Sequence, residues 1–437
     1  MNRKTFLRGV GLGTLGALAG PSIGCATTDN AHGIKVALPD YSASDDATYW
    51  KAVRQQYVLE PDLHYMNTGG LGPAAKPVLK VFTDVMHHNQ TISEHDHHSF
   101  AGARETTAEF FGAEASEICF TRNATEGNSI IASGLKLEDG DEVIFENHAH
   151  PGGSGPWYNQ AIRRGVVVKL FEPDTESVEG NLARIRELIT SRTKVIQISH
   201  VTAPTGILLP AAEIAKLAQK HGIWFHIDGA QSAGMFPFTM EEAGCDSYAT
   251  SGHKWLGAPH ETGILFIRKD RNDEVIPIAA GSYTGPIPMD QENNRLIADA
   301  NMTYVKNATR HEYGTRNAAS ILGVAAAIDF QNEVGRERIA AHGRALSAQL
   351  RQGLQKIPSI EVLTPERPEL CASIMGFRTP RISYNDLLRV LAAQHRFRLR
   401  PVSEQGLNSV RVSTHLFNSA QECELLLASI NEIVRKA

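Results

Sequence analysis

The chain has 437 residues, 42% hydrophobic and 21% charged, enough for a large core and two domains. Its net charge of −5, with no basic runs interleaved with aromatics, gives no support to a nucleic-acid surface. No apolar run reaches the ~18 residues of a spanning helix. The five cysteines, Cys25, Cys119, Cys245, Cys371 and Cys423, are scattered, so neither a disulfide framework nor a zinc site is expected.

Asn2-Arg3-Lys4-Thr5-Phe6-Leu7-Arg8 precedes a mildly apolar stretch, Gly9 to Ala19. A basic start, a short apolar segment and small residues beyond read as an export signal over 1–28. The pattern resembles a twin-arginine signal with Lys4 in place of the second Arg, so a periplasmic or otherwise exported protein is expected. Ser22-Ile23-Gly24-Cys25 also resembles a lipoprotein cleavage box, with a lipid anchor at Cys25 as the alternative processing. Residues 29–70 read as a linker and N-terminal segment, 71–310 as a large domain, and 311–437 as an interdomain helix with a small C-terminal domain.

His87, His88, His95, His97 and His98 fall close together with Glu94 and Asp96. These are transition-metal ligand types, but the spacing matches no standard zinc pattern. The expectation is a polar rim or surface loop, with no metal assigned. From about residue 110, short apolar runs alternate with amphipathic stretches. Strands are predicted at Val143–Phe145, Val166–Leu170, Lys194–Ser199, Ile223–Ile227, Tyr248–Thr250 and Gly263–Arg268. Helices are predicted at Glu126–Ser133, Leu182–Thr190, Ala211–His221 and from Ala318 to about Lys356. This alternation implies an α/β domain with a mostly parallel sheet, whose ligands gather at the carboxyl ends of the strands.

Asp228 follows the strand predicted at Ile223–Ile227, in Asp228-Gly229-Ala230-Gln231, and Lys254 lies 26 residues on in Ser251-Gly252-His253-Lys254-Trp255. An acid at a strand end and a lysine in a small-residue turn suit pyridoxal 5′-phosphate. The lysine holds the aldehyde as a Schiff base, and the acid keeps the pyridine nitrogen protonated. Gln231 is a donor for the ring phenolate oxygen, and Ser251 and His253 are donors for the phosphate. In Thr121-Arg122-Asn123-Ala124-Thr125-Glu126-Gly127 a helix start offers free N–H groups and the Thr125 hydroxyl. Alone it is an ordinary N-cap; with Asp228 and Lys254 downstream it reads as the phosphate site. His148, after a strand, is a candidate to stack on the ring and exchange protons, or else a surface-loop histidine. Arg411 alternates with Val410 and Val412, as in a strand. It is a candidate to bind a substrate carboxylate bidentately, or else a surface arginine.

These residues resemble aminotransferase class V, the fold-type I pyridoxal phosphate enzymes, in the branch similar to isopenicillin N epimerase. The pieces that carry the likeness are His226-Ile227-Asp228-Gly229-Ala230-Gln231-Ser232-Ala233-Gly234 and Ser251-Gly252-His253-Lys254. Tyr65-Met66-Asn67-Thr68-Gly69-Gly70-Leu71-Gly72-Pro73, Asn123-Ala124-Thr125-Glu126, Glu312-Tyr313-Gly314-Thr315-Arg316-Asn317 and Arg411-Val412-Ser413-Thr414-His415 support it. The resemblance implies cofactor contacts from Thr125 and Glu126, a substrate site at Asn67 and Arg411, and a homodimer in which Thr315 meets the phosphate of the partner's cofactor. Desulfurase members carry a nucleophilic cysteine shortly before the C-terminal arginine. Arg398-Leu399-Arg400-Pro401-Val402-Ser403-Glu404-Gln405-Gly406 contains none, so a cysteine desulfurase is not expected.

The reaction expected from the sequence starts at the α-carbon of a small amino substrate. Transamination or epimerisation leads, and β-elimination of a carbon–sulfur bond is the alternative. A non-catalytic binding protein on the same fold is the reading from another class, and Asp228, Lys254 and Arg411 together argue against it.

Overall fold

A computed structural model of the chain describes residues 36, 38–290, 292–298 and 300–437. The expected export signal, with Arg3 and Cys25, lies outside the described residues. After a helix at Asp46–Arg54, the short strand β1 (His64–Tyr65) leads into helices Lys76–Ile92 and Phe100–Phe111. His87 and His88 sit on the first of these helices. Ser93 ends it in the left-handed region, so the five histidines do not share one helical face.

The main sheet comprises β2 (Ile118–Thr121), β3 (Glu142–Glu146), β4 (Val167–Phe171), β5 (Thr193–Ser199), β6 (Trp224–Asp228), β7 (Ser247–Ser251) and β8 (Gly263–Ile267). Their order is β2-β8-β7-β6-β5-β3-β4. Only β8 runs against its neighbours. β6, β7 and β8 are buried along their whole length, which explains apolar runs such as Ile264-Leu265-Phe266-Ile267. The expected α/β fold with a mostly parallel sheet is therefore present, with strand ends within a residue or two of those predicted. β2 has no counterpart among the predicted strands.

A hairpin, β9 (Met289–Asp290) and β10 (Arg295–Leu296), precedes the long helical region. The single helix expected from Ala318 is two, Ala318–Val334 and Arg336–Leu354. The break is Gly335, at φ 97° and ψ 112°, a backbone conformation outside the helical region that glycine adopts readily. A second, antiparallel sheet follows, built from β11 (Glu361–Val362), β12 (Ile374–Arg378), β14 (Arg400–Val402) and β15 (Ser409–Ser413) in the order β11-β12-β15-β14, while β13 (Phe397–Arg398) pairs with β1. Its apolar cluster joins Met375, Phe377, Val410 and Val412 to Leu346, Leu350, Leu387, Leu391, Leu426 and Ile430 from three helices. That cluster is distinct from the larger one around the main sheet.

Candidate active site

The register of the main sheet sets Ser199 level with Asp228, and Asp228 level with Ala249. The chain leaving these strand ends closes a cavity of about 270 Å³. Asp228, Gln231, Thr125, Ser251, His253, Lys254 and Arg411 all line it. The structure thus brings seven of the sequence-predicted residues to one place.

Lys254 sits in a turn tied to its surroundings by backbone bonds, Gly252 N to Thr262 O at 2.8 Å and Gly72 N to His253 O at 2.8 Å. Burial pushes its amine down to about 8, with Arg411 and Arg400 adding to the shift and Asp228 opposing it. Roughly a tenth of the amine is therefore neutral at pH 7, and the neutral amine is the form that attacks a carbonyl. Asp228 Oδ1 accepts from Ala230 N at 3.0 Å and Oδ2 from Asn128 Nδ2 at 3.1 Å. Gln231 donates to Gly69 O at 2.9 Å and accepts from Trp255 Nε1 at 2.8 Å, so its second N–H is the one left for a ligand.

Asn123 takes the helix cap, its Oδ1 accepting from Glu126 N at 2.9 Å. A cap of this kind stabilises the helix by about 1 kcal/mol and leaves the Thr125 hydroxyl uncommitted to that job. Ser251 Oγ accepts from Ala124 N at 3.0 Å, which leaves its own proton to donate. Burial, with the charge of Lys254, pushes His253 down to about 4. Its Nδ1 donates to Thr262 O at 3.2 Å.

Four sequence-predicted residues lie off the cavity wall. His148 is one: its Nδ1 is 3.1 Å from Thr205 Oγ1, and the imidazole that joins His253 on the wall belongs to His150. The local reason is that His150 caps helix Pro151–Arg164, its Nδ1 accepting from Gly152 N at 3.0 Å. Burial, then the charge of Lys254, lowers the His150 pKa, so the ring is neutral. Glu126 bonds instead to Arg122 N at 2.6 Å and to Tyr313 OH at 3.3 Å. With Thr315 it lines a neighbouring cavity of about 300 Å³. Asn67 acts on Arg411 rather than on the cavity, accepting from Nη2 at 3.0 Å while Ala203 O accepts from Nη1 at 3.0 Å. Those two bonds fix a fully buried guanidinium whose Nε has no partner among the described residues.

The sequence missed Arg400. It lines the cavity and faces Arg411 across the β14–β15 register, ion-paired to Glu404. It also missed Glu146, a fully buried acid at the end of β3 that accepts from Ser199 N at 3.1 Å. Burial, with Asp228 adding, pushes Glu146 up to about 7. Neither has a local sequence signal, because each is defined by a strand that pairs elsewhere in the chain.

The wall fits pyridoxal phosphate, with an amine, an acid and a helix start all facing one space. Bare glycine backbone keeps that space open. A Cβ on Gly152 would come within 2.4 Å of Thr125 Oγ1, and one on Gly153 within 2.5 Å of Asp228 Oδ2.

This sheet and site define a fold-type I pyridoxal phosphate enzyme. The aminotransferase class-V profile matches residues 76–426, and the chain belongs to that family. It is 30% identical over 404 residues to isopenicillin N epimerase of Amycolatopsis lactamdurans, covering 89% of this chain and 99% of that protein. A probable cysteine desulfurase of Methanothermobacter thermautotrophicus is 26% identical over 401 residues, covering 87% and 97%. Among solved structures, the complex of the cystine C–S lyase C-DES with its product cysteine persulfide superposes with a TM-score of 0.76 at 25% identity, covering 85% of this chain and 98% of that one. The expected family, fold and cofactor are borne out.

Proposed function

We propose that the protein transaminates or epimerises a small amino substrate, an amino acid or an amine-bearing peptide or metabolite, at the α-carbon. The observation that carries this is the meeting of Lys254, Asp228 and Arg411 on one cavity wall with no thiol on it among the described residues. Cys119, Cys245 and Cys423 are buried, Cys371 is partly buried, and none of the four lines the cavity.

When bound, the cofactor accepts the electron pair left at the α-carbon. Lys254 would hold the cofactor aldehyde through Nζ, Asp228 would pair with its ring nitrogen, and Thr125 and Ser251 would hold its phosphate. Arg411 meets the substrate carboxylate as a pre-oriented fork and sets which α-substituent faces Lys254. Once the substrate amine has replaced it at the aldehyde, the released Lys254 amine, neutral above about pH 8, would take the α-proton and return it. His150 supplies a neutral ring on the wall.

The likeness to a cystine C–S lyase favours β-elimination as the second reading. Incubation with an amino-acid and amino-peptide panel in deuterated water separates them. A keto acid, or deuterium at the α-carbon with inversion, supports the proposal. Pyruvate release supports the lyase. No product and no isotope exchange with any amine would leave a binding protein.

We also propose that the chain is exported by its twin-arginine-like N-terminus and works as a homodimer. The supports are the basic–apolar pattern of residues 1–28 and a cavity beside the site lined by Arg122, Tyr313 and Thr315.

A further inference from the structure

Behind Asp228, on one face of the sheet, lies a line of buried polar groups that no catalytic step uses. Trp224, His226 and Asp228 alternate along β6 and so share a face, and Ser247 is level with His226 on β7. Asn128 reaches down from helix Ala124–Gly134. All five are buried. Their contacts are Trp224 Nε1 to Ser247 Oγ at 2.9 Å, Ser247 Oγ to His226 Nδ1 at 2.8 Å, His226 Nε2 to Asn128 Oδ1 at 2.9 Å, and Asn128 Nδ2 to Asp228 Oδ2 at 3.1 Å.

His226 is fully buried with its two ring nitrogens against Ser247 and Asn128 and not against an acid, so the ring is neutral, and for a neutral ring one assignment of protons satisfies every member of this line. Asn128 Nδ2 also donates to Gly152 O at 3.0 Å. A carbonyl and a carboxylate take both of its protons, so the atom facing His226 is the amide oxygen. An oxygen there requires a proton on His226 Nε2. Trp224 Nε1 can only donate, so it occupies one lone pair of Ser247, whose single proton then goes to His226 Nδ1. Burial likewise pushes the imidazole down to about 3. All donors point one way, toward Asp228, and the last group is an amide that can neither give up nor take a proton.

From this we infer that His226 and Asn128 are positioning residues for Asp228: the line fixes the Asn128 amide so that it donates to Oδ2, holding Asp228 as an oriented carboxylate for the cofactor ring nitrogen. Hydrogen bonds that end on a charged group are the stronger kind, and losing a buried partner exposes the full cost of desolvation. A mobile proton in the line would let Asp228 neutralise and release the ring nitrogen; an amide removes that route. The inference rests on the assignment of Asp228 to the ring nitrogen.

The test measures binding of two ligands to the apo-protein: pyridoxal phosphate, and its analogue with CH in place of the ring nitrogen. Wild type is expected to bind the natural cofactor more tightly. Asn128→Asp, which keeps the shape and replaces the fixed donor, is expected to lower affinity for pyridoxal phosphate about tenfold or more and to leave the analogue unchanged. In the same variant the ring-nitrogen NMR resonance of bound cofactor should move toward that of unprotonated pyridine. His226→Leu should weaken the preference for the natural cofactor, and His226→Gln, which restores an N–H toward Asn128, should recover it. Equal losses for both ligands would make the line mere packing, and no loss for either would make it idle; both results overturn the inference. A wild type that does not distinguish the two ligands would instead remove the role assigned to Asp228 itself.

Discussion

Gly72 is where the geometry makes its sharpest demand. A Cβ built there would lie 1.8 Å from the carbonyl oxygen of Lys254, and real contacts of this kind essentially never fall below 3.0 Å. Gly72→Ala therefore forces the two backbones apart by roughly 1.2 Å. Overpacking of this sort costs about 1–3 kcal/mol of stability. Moving a reacting group by about 1 Å costs about 100-fold in rate, and Lys254 is that group. We expect Gly72→Ala to fold with a lowered denaturation midpoint, to take up cofactor weakly in an absorbance titration, and to lose about 100-fold in kcat/KM. Gly155→Ala, where nothing lies within 4 Å, should match wild type in all three assays. A Gly72→Ala protein with wild-type cofactor affinity and turnover would refute the packing of the glycine segment against the lysine turn.

The remaining predictions concern charge and transport. Because burial lowers Lys254 to about 8, the rate at which apo-protein captures cofactor should rise through about pH 8 and then level off. Asp228 favours the charged amine, so Asp228→Asn should move that midpoint to lower pH; a midpoint near the ordinary lysine value in both proteins would contradict the burial. Arg411→Gln should raise KM for carboxylate substrates about tenfold or more, the worth of a charge-assisted pair. The same variant should leave amines without a carboxylate unaffected, and equal losses for both would mean that the arginine acts on the fold. Replacing Arg3 with Lys should hold the precursor in the cytoplasm in a fractionation assay; unimpaired export would remove the twin-arginine reading.

Legibility in the sequence followed how local each determinant is. Strands β3, β5, β6, β7 and β8 announce themselves because strands buried on both faces are short runs, mostly apolar, bounded by turns. Asp228 and Lys254 stand at the ends of such runs, so they could be named. β2 escaped because Ile118-Cys119-Phe120-Thr121 is short and lacks alternation. Helix Pro151–Arg164 escaped because Pro151-Gly152-Gly153-Ser154-Gly155-Pro156 reads as a loop, although proline is well placed in a first helical turn and Gly152 and Gly153 are the glycines that Thr125 and Asp228 crowd. That same hidden helix moved the wall imidazole from His148 to His150. Arg400 and Asn128 became visible only through tertiary pairing, one across β14–β15 and the other from a helix laid over β6. Gly335 is the converse case: the apolar period runs through it, and only its backbone angles break the helix.

Cofactor capture turns on a single amine, that of Lys254. Borohydride treatment of the cofactor-loaded protein, followed by proteolysis and mass mapping, reads it directly. The expected result is one phosphopyridoxyl adduct, on the peptide containing Lys254, in stoichiometric yield. An adduct on another lysine, or a cofactor that washes away unreduced, would contradict the site described here.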